Sequence, residues 1–189
     1  DHVEALLSEQ CRTLIQNCSR LWFIPAPFLS ILTDGSIARR QDISLGAQYN
    51  NWGLHGTGIA TAVDSLVNIR HLIYEEQTLT PAELITAIVK DFDGYAYLLH
   101  RLRYESPKFG DGTVEPELMA VRLLDLFARS VKDLRNERGG RIRPGTGTAM
   151  YYLWHVRDLP ASPDGRRRGE PLAANYTPSL FAKVPGPLS

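Results

Sequence analysis

Histidine and cysteine are the residues best placed to do acid–base, nucleophilic or metal chemistry, and this sequence holds five of the first and two of the second. Their spacing builds no known catalytic pattern. If residues 2–19 are helical, Cys11 and Cys18 sit two turns apart, roughly 10 Å along the axis. That exceeds the Cα separation of about 7 Å that a disulfide tolerates. No C-x-x-C and no nearby histidine pair are present, so a zinc site is not expected. Neither thiol has a neighbouring histidine or helix N-terminus to lower its pKa. Two reduced, buried, structural thiols fit a cytoplasmic protein. His71 and His100 fall in helical patterns and read as surface or packing residues, whereas His55 sits in a glycine-rich stretch and suggests a site. Gly53, Gly56 and Gly58 miss the G-x-G-x-x-G spacing, and neither glycine cluster carries the lysine of a P-loop. A nucleotide site is therefore not expected.

Charge narrows the partners. Lys+Arg and Asp+Glu number 21 each, so no global field favours nucleic acid or a membrane surface. The local basic stretches, Arg166-Arg167-Arg168 and Arg138 to Arg143, read as solvated turns or salt-bridge sites. A hydrophobic content of 43% and a charged content of 22% are those of a globular protein. No apolar run approaches the roughly 20 residues of a membrane span, and Asp1 begins no signal peptide. The chain opens without methionine, directly in helical pattern, which reads as a cut N-terminus. Its 189 residues fit one domain or a piece of a larger one.

Residues 2–19 place Val3, Leu6, Leu7, Cys11, Leu14, Ile15 and Cys18 on one helical face. Pro25 and Pro27 predict an extended segment over Trp22–Phe28, and Asp34-Gly35 predicts a turn. From Gly46 to Gly58, four glycines alternate with Tyr49, Asn50, Asn51, Trp52 and His55, the pattern of a shaped loop rather than a regular element. A helix follows from Ile59, with Ala62, Val63, Leu66, Val67, Ile69 and Ile73 apolar. Thr80-Pro81-Ala82-Glu83 predicts a helix start with a capping box. Another short helix is expected between Asp93-Gly94 and Pro107. Pro116 is expected to open a longer one, ending at Gly139-Gly140. Ala149–Trp154 is apolar on both faces, which suits either a buried parallel strand or a buried helix. Pro163-Asp164-Gly165 predicts a turn, and the tail from Pro171 is irregular.

Several of these stretches resemble one family. Gly46-Ala47-Gln48-Tyr49-Asn50-Asn51, continuing through Gly56-Thr57-Gly58-Ile59-Ala60 to Asp64-Ser65-Leu66, is similar to the G-A-x-Y-N…G-x-G-x-A-x-x-x-D-S-L pattern of glycyl radical enzymes of the pyruvate formate-lyase and dehydratase group. Pro107-Lys108-Phe109-Gly110 resembles that family's P-K-[FY]-G-N-D turn, and Arg143-Pro144-Gly145 with Thr148-Ala149-Met150-Tyr151 resembles a further stretch. Most specific is Pro163-Asp164-Gly165-Arg166-Arg167-Arg168-Gly169-Glu170-Pro171-Leu172-Ala173, close to P-D-G-R-[RK]-x-G-E-P-L-A.

The resemblance implies an α/β fold: part of the glycyl radical enzyme barrel, helix-rich with few strands. It places residues 1–189 as a single partial domain, between a cysteine loop upstream and a radical-bearing glycine loop downstream. In that family the glycyl radical oxidises the cysteine, and the thiyl radical abstracts hydrogen from a small-molecule substrate. Cys11, between Gln10 and Arg12, and Cys18, between Asn17 and Ser19, do not match the cysteine loop, and no glycine matches the radical loop. The chain alone is therefore expected to be inactive and to bind no cofactor. The whole enzyme is expected to carry a backbone glycyl radical installed by a radical S-adenosylmethionine activating enzyme. Its partners would be that activase, the remainder of the enzyme chain and a second copy in a homodimer, with no nucleic acid and no membrane. A stand-alone scaffold or binding subunit, or one part of a split enzyme, is the alternative.

Candidate pocket residues follow from the same resemblance. Ala173-Ala174-Asn175-Tyr176-Thr177-Pro178 corresponds to a loop usually written A-D-G-x-S-P, with Asn175 and Tyr176 in place of small residues. If Asn175, Tyr176 and Thr177 line the pocket, the departure alters substrate choice; otherwise the loop packs the barrel end. Tyr49, Asn50, Asn51 and His55 are further candidates, with helix capping as the plainer role. Asp64, Pro163, Asp164, Gly165 and Arg166 are expected to be structural, Asp64 through the helix dipole and Arg166 as anchor of its turn.

Overall fold

The structure is a computed structural model and describes residues 2–147 and 152–183. The chain divides into two compact units, one of residues 1–54 and 125–145, the other of residues 55–124 and 146–189.

In the first unit α1 (His2–Cys18) forms where the periodicity predicts, but of its apolar stripe only Cys11 and Ile15 are buried. Val3, Leu6 and Leu14 are exposed, and Cys18 is half-buried rather than buried as expected. Cys11 and Ile15 pack with Val131 and Ile142, and with the half-buried Trp52, Leu54, Phe127 and Leu134. The extended segment ends earlier than expected. Pro27 opens a short helix, α2 (Pro27–Leu32), because the first helical position needs no amide donor. Two further short helices follow, α3 (Ser36–Arg39) and α4 (Ile43–Gly46). Asp42 caps α4 by accepting the Ser44 amide at 3.0 Å.

The Gly46–Gly58 stretch is not wholly a loop. Trp52–Gly56 is a strand, β1, paired with β2 (Ile142–Thr146). The alternation of half-buried Trp52 and Leu54 with exposed Gly53 and His55 is the signal the glycines obscured. Trp52 donates its amide to the Arg141 carbonyl at 3.1 Å, and the Thr57 hydroxyl donates to the Gly147 carbonyl at 3.1 Å. The pairing advances in one direction along both strands, as in a parallel pair.

In the second unit α5 (Ile59–Ile69) runs into a π-helical turn at Arg70–Glu75. Next comes α6 (Pro81–Val89), started by the expected capping box: Glu83 takes the Thr80 amide at 2.9 Å, and the Thr80 hydroxyl takes the Glu83 amide at 3.2 Å. α7 (Ala96–Tyr104) also lies where predicted. α8 (Val114–Val131) begins two residues before Pro116 and stops well short of Gly139. Residues beyond it turn instead, with a bridge between Arg135 and Arg141. One apolar cluster joins Ile59, Ala60, Val63 and Val67 to Phe109, Ala120 and Ala173; another joins Leu72, Leu79 and Leu84 to Ala87, Phe92, Leu102 and Ala161.

Of Ala149–Trp154, the first three residues lie outside the described ones. The rest enters a short helix, α9 (Tyr152–Val156), in which Leu153 and Trp154 are exposed, so this described part is not buried on both faces.

Candidate functional site

Three of the stretches singled out in the sequence meet inside the second unit, around α5. Asp64 and Asn68 lie one helical turn apart and share a face, and both are fully buried. Asp64 does not serve the helix dipole. Its Oδ1 accepts the Phe109 amide at 2.8 Å, which holds the Pro107–Gly110 turn against the helix. Its Oδ2 is buried and takes no hydrogen bond of acceptable geometry. Burial, the dominant cause, pushes the Asp64 carboxyl up to about 6; the nearby Ser179 hydroxyl, the Phe109 amide and the Lys108 charge oppose it, and the Asp164 charge adds to it.

Asn68 spends its whole amide on neighbours. Its Nδ2 donates to the Leu102 and Pro163 carbonyls, each at 2.8 Å. Its Oδ1 accepts from Lys108 Nζ at 3.1 Å. Lys108 is itself buried. Burial lowers its pKa, against the opposing charges of Asp64, Asp164 and Asp111. Asp111 closes the turn by accepting the Lys108 amide at 2.8 Å.

The Pro163–Arg166 turn supplies the third side. Asp164 Oδ1 accepts the Ser162 hydroxyl at 2.6 Å and the Arg166 amide at 3.2 Å, and burial raises its pKa. The buried Arg166 guanidinium bonds mainly to backbone: Nη1 to the Arg167 and Glu170 carbonyls at 3.2 and 3.0 Å, Nη2 to the Pro160 carbonyl, and Nε to the Ser162 hydroxyl at 3.1 Å. Gly165 is needed here, since its φ is +89° and a Cβ would fall 2.7 Å from Arg103 Cγ. Arg103 donates to the Gly165 carbonyl at 2.8 Å and pairs with Glu170 at 2.6 Å.

This hub carries the tail. Ser179 donates its amide to the Phe109 carbonyl at 2.9 Å. Gly110, at φ +84°, leaves no room for a Cβ beside Pro178. Tyr176 stands edge-on to the Phe109 ring, with centroids 5.3 Å apart. Asn175 holds a left-handed φ of 52°, and the Thr177 hydroxyl closes the turn on the Ala174 carbonyl at 2.6 Å. The Asn175–Thr177 turn is exposed and rests, through Phe109, on the buried cluster.

The other expected pocket residues are placed differently. Tyr49, Asn50 and Asn51 belong to the first unit, where they border an open cavity of about 340 Å³ with Arg138, Gly140, Arg141 and Arg143. Asn50 Nδ2 donates to the Ala47 carbonyl at 3.1 Å, and its own carbonyl accepts from Asn136. Asn51 Oδ1 accepts the Arg141 amide at 2.9 Å. The two asparagines thus tie the loop to residues 136–141, and the Asn50 side-chain amide also reaches the Leu45 carbonyl at 3.4 Å, closing the C-terminal end of α4. His55 belongs to the second unit and is exposed on β1, its ring against Gly147. His71 lies in a surface ion cluster, 2.9 Å from Glu115 and 3.7 Å from Glu75.

The chain matches the pyruvate formate lyase-like family over residues 11–154. It belongs to that family. The glycerol-bound, B12-independent glycerol dehydratase of Clostridium butyricum superposes with a TM-score of 0.77 at 32% identity, over 85% of this chain and 20% of that one. A glycyl radical enzyme of Archaeoglobus fulgidus gives 0.74 at 31% identity, over 82% and 20%. The trans-4-hydroxy-L-proline dehydratase of Clostridioides difficile is 24% identical over 165 residues, which are 87% of this chain and 21% of that protein. The chain therefore spans about a fifth of the length of the relatives it matches. Its fold is the expected α/β type, part of the glycyl radical enzyme barrel, helix-rich with few strands. The family is enzymatic, its curated members being named as dehydratases and lyases. Among the described residues no helix is long and apolar enough to cross a membrane.

Asn68 and Ser179 lie outside every motif of the sequence, and Lys108 stands out there only as part of the Pro107–Gly110 stretch. Asn68 did leave a signal: a polar residue four after Asp64, inside an otherwise apolar helical stripe.

Proposed function

We propose that these residues form part of a glycyl radical lyase that cleaves a C–O, C–C or related bond of a small molecule, most simply as a dehydratase. In the whole enzyme, the radical glycine and the thiyl cysteine come from outside the 189 residues, and a radical S-adenosylmethionine activase installs the radical. The observation that carries this reading is the convergence of the D-S-L, P-K-F-G and P-D-G-R stretches on one buried cluster beneath the Asn175–Thr177 turn. Cys11 supports it from the other side. It is buried among apolar neighbours, and burial raises its pKa, the setting of a structural thiol rather than a reactive one.

In this reading Asn175, Tyr176 and Thr177 face the substrate and set its shape, while Asp64, Asn68, Lys108, Asp164 and Arg166 are positioning residues. Tyr49, Asn50 and Asn51 in the loop before β1, and His55 on β1, remain candidates for substrate contact.

The experiment is to read the gene on both sides, express the complete polypeptide anaerobically with its matched activase, and assay dehydration of glycerol and trans-4-hydroxy-L-proline while recording the glycyl radical signal. Radical and turnover in the complete polypeptide, with neither in the 189-residue chain, is the expected result. Turnover by the isolated chain would overturn the proposal.

A further inference from the structure

Arg141 and Arg143 stand without a counter-charge. Arg141 immediately precedes β2 and Arg143 lies within it, two residues on, so the pair shares one face of the strand. Ile142 between them points the other way and is buried with Cys11, Ile15 and Val131 of α1 and α8. Both arginines are exposed, and among the described residues no carboxylate pairs with either. They border the open cavity of about 340 Å³ together with Arg138, Tyr49, Asn51 and Gly140, and no acidic side chain lines it. Arg138 is held over the Phe23 ring, 5.2 Å from its centroid, and its buried Nε reaches Glu137 at 3.0 Å without hydrogen-bond geometry.

The walls of this cavity are preformed. Asn136 Oδ1 accepts the Arg138 amide at 3.1 Å and the Gly140 amide at 2.8 Å, which fixes the turn that carries the arginines. At Gly140 a Cβ would fall 1.8 Å from the Asn50 carbonyl oxygen, so only glycine lets the two sides approach this closely. The Arg141 amide takes Asn51 Oδ1 at 2.9 Å, which leaves Asn51 with its Nδ2 donor.

These groups select a ligand by their chemistry. Two guanidinium forks, a primary amide and a phenol present N–H and O–H donors, and a fork matches two oxygens of a carboxylate, sulfonate or phosphate. A neutral ligand would leave both positive charges without a partner. The cavity lies at the small end of ligand pockets, the size for a small molecule rather than a macromolecule. The arginine face is also the one turned away from α1 and α8, and in a barrel ringed by helices that face is the inner one. We propose that this cavity is an oxyanion site, and that the substrate of the complete enzyme carries a carboxylate, sulfonate or phosphate that docks on Arg141 and Arg143. The inference rests on the reading of the chain as part of a glycyl radical lyase, and deepens it by naming the charge of the substrate.

The test is calorimetric titration of the complete polypeptide encoded by the gene, under anaerobic conditions, with glycerate, glycerol and inorganic sulfate. Glycerate differs from glycerol only in carrying a carboxylate at one end. It should bind at least about tenfold more tightly than glycerol, with an affinity that falls as salt rises. Arg141→Gln with Arg143→Gln should remove that preference and leave the unfolding midpoint unchanged, because both side chains stand in solvent. Arg143→Lys keeps the charge without the fork and should lose part of the preference. Arg122→Gln, exposed on α8, should lose none of it. Equal affinities for glycerate and glycerol, or a preference that survives the double variant, would overturn the proposal. Sulfate that binds and is not displaced by glycerate would also overturn it, making a free ion the occupant instead of the substrate. A complete polypeptide that carries its radical and turns over glycerol equally well with both arginines replaced removes this inference alone. One that takes up no radical from its activase removes the parent reading, and the titration still decides the site.

Discussion

Asp64 accepts the amide of Phe109 at 2.8 Å, and the Phe109 ring in turn meets Tyr176 edge-on at 5.3 Å. A buried carboxylate on α5 is thereby linked to an exposed turn more than a hundred residues later through one intermediate side chain. Asn68 and Lys108 hold the other end of the same turn, and Arg166 holds the loop whose Pro163 carbonyl Asn68 engages. The polar groups of the cluster bond to one another and to backbone, which leaves few of them to meet a substrate.

Removing the Asp64 charge should change how stability varies with pH. Its folded-state pKa, about 6, lies above the ordinary value of 3.8. Deprotonation therefore costs stability as pH rises from near 4 to about 6, and the cost is complete above that window. Asp64→Asn keeps an acceptor for Phe109 and removes the cost. Chemical unfolding at several pH values should show the variant gaining on the wild type by roughly 3 kcal/mol between pH 4 and pH 7.5. A difference that stays flat with pH would refute this account of Asp64.

Asn68 is a stricter test of the cluster. Asn68→Ala strands two buried carbonyls and leaves Lys108 Nζ without its partner. A loss of about 3–5 kcal/mol is expected. Adding Lys108→Met, which keeps an apolar stem and removes the buried ammonium, should recover part of it. Strictly additive losses in urea unfolding would mean that the two residues do not interact.

Which parts could be read from sequence follows from the range of the forces involved. The capping box at Thr80 and Glu83 spans three residues and was legible. So was α1, whose period-3.6 stripe is local. β1 was not, because pairing with β2 joins residues ninety apart and four glycines masked the two-residue alternation. That Ser30 is the buried side chain of α2 was equally hidden, since only its bonds with Asp42 and Ile43 bury it. At the candidate site, motifs identified Asp64, Lys108 and Arg166, yet that they converge is a property of three dimensions. Asn50 and Asn51 have side chains committed to backbone, in keeping with the structural role that their residue type offered beside the pocket one.

Arg166 should resist its closest replacement. Arg166→Lys keeps the charge but loses the planar fork that reaches the Pro160, Arg167 and Glu170 carbonyls together. A destabilisation of about 2–3 kcal/mol is expected, with proteolysis appearing within residues 160–170. Arg167→Lys next to it should stay within about 0.5 kcal/mol of wild type. Equal effects would show that the guanidinium fork is not what holds the loop.

Asp42 gives the opposite pH behaviour to Asp64. The Ser44 amide first, then the Ser30 hydroxyl and the Ala26 amide, hold its carboxyl well below the usual range. Its contribution is therefore present above the unfolded value near 4 and is lost only as pH falls through the lower folded value. Hydrogen exchange of residues 26–46 should stay slow down to strongly acid pH in the wild type. Asp42→Ala should exchange fast in that segment at neutral pH and show little further change on acidification. An acid-insensitive wild type with an unaffected variant would rule out Asp42 as the clasp.

Asn175 and Tyr176 make separable predictions for backbone and for pocket. Asn175 sits at φ 52°, a region open to Gly and tolerated by Asn, but costing roughly 1–2 kcal/mol for other residues. Asn175→Gly should therefore fold as well as wild type, whereas Asn175→Val should lose about that amount. Tyr176 is half exposed and touches Phe109 by one ring edge, so Tyr176→Ala should cost only about 1 kcal/mol of stability. In the complete, activated enzyme both Asn175→Gly and Tyr176→Ala restore small residues at the turn and should enlarge the pocket. The ratio of kcat/KM values for a larger and a smaller diol is expected to rise in each, with the radical yield unchanged. An unchanged ratio in both variants would assign the turn to packing of the barrel end and remove it from the pocket.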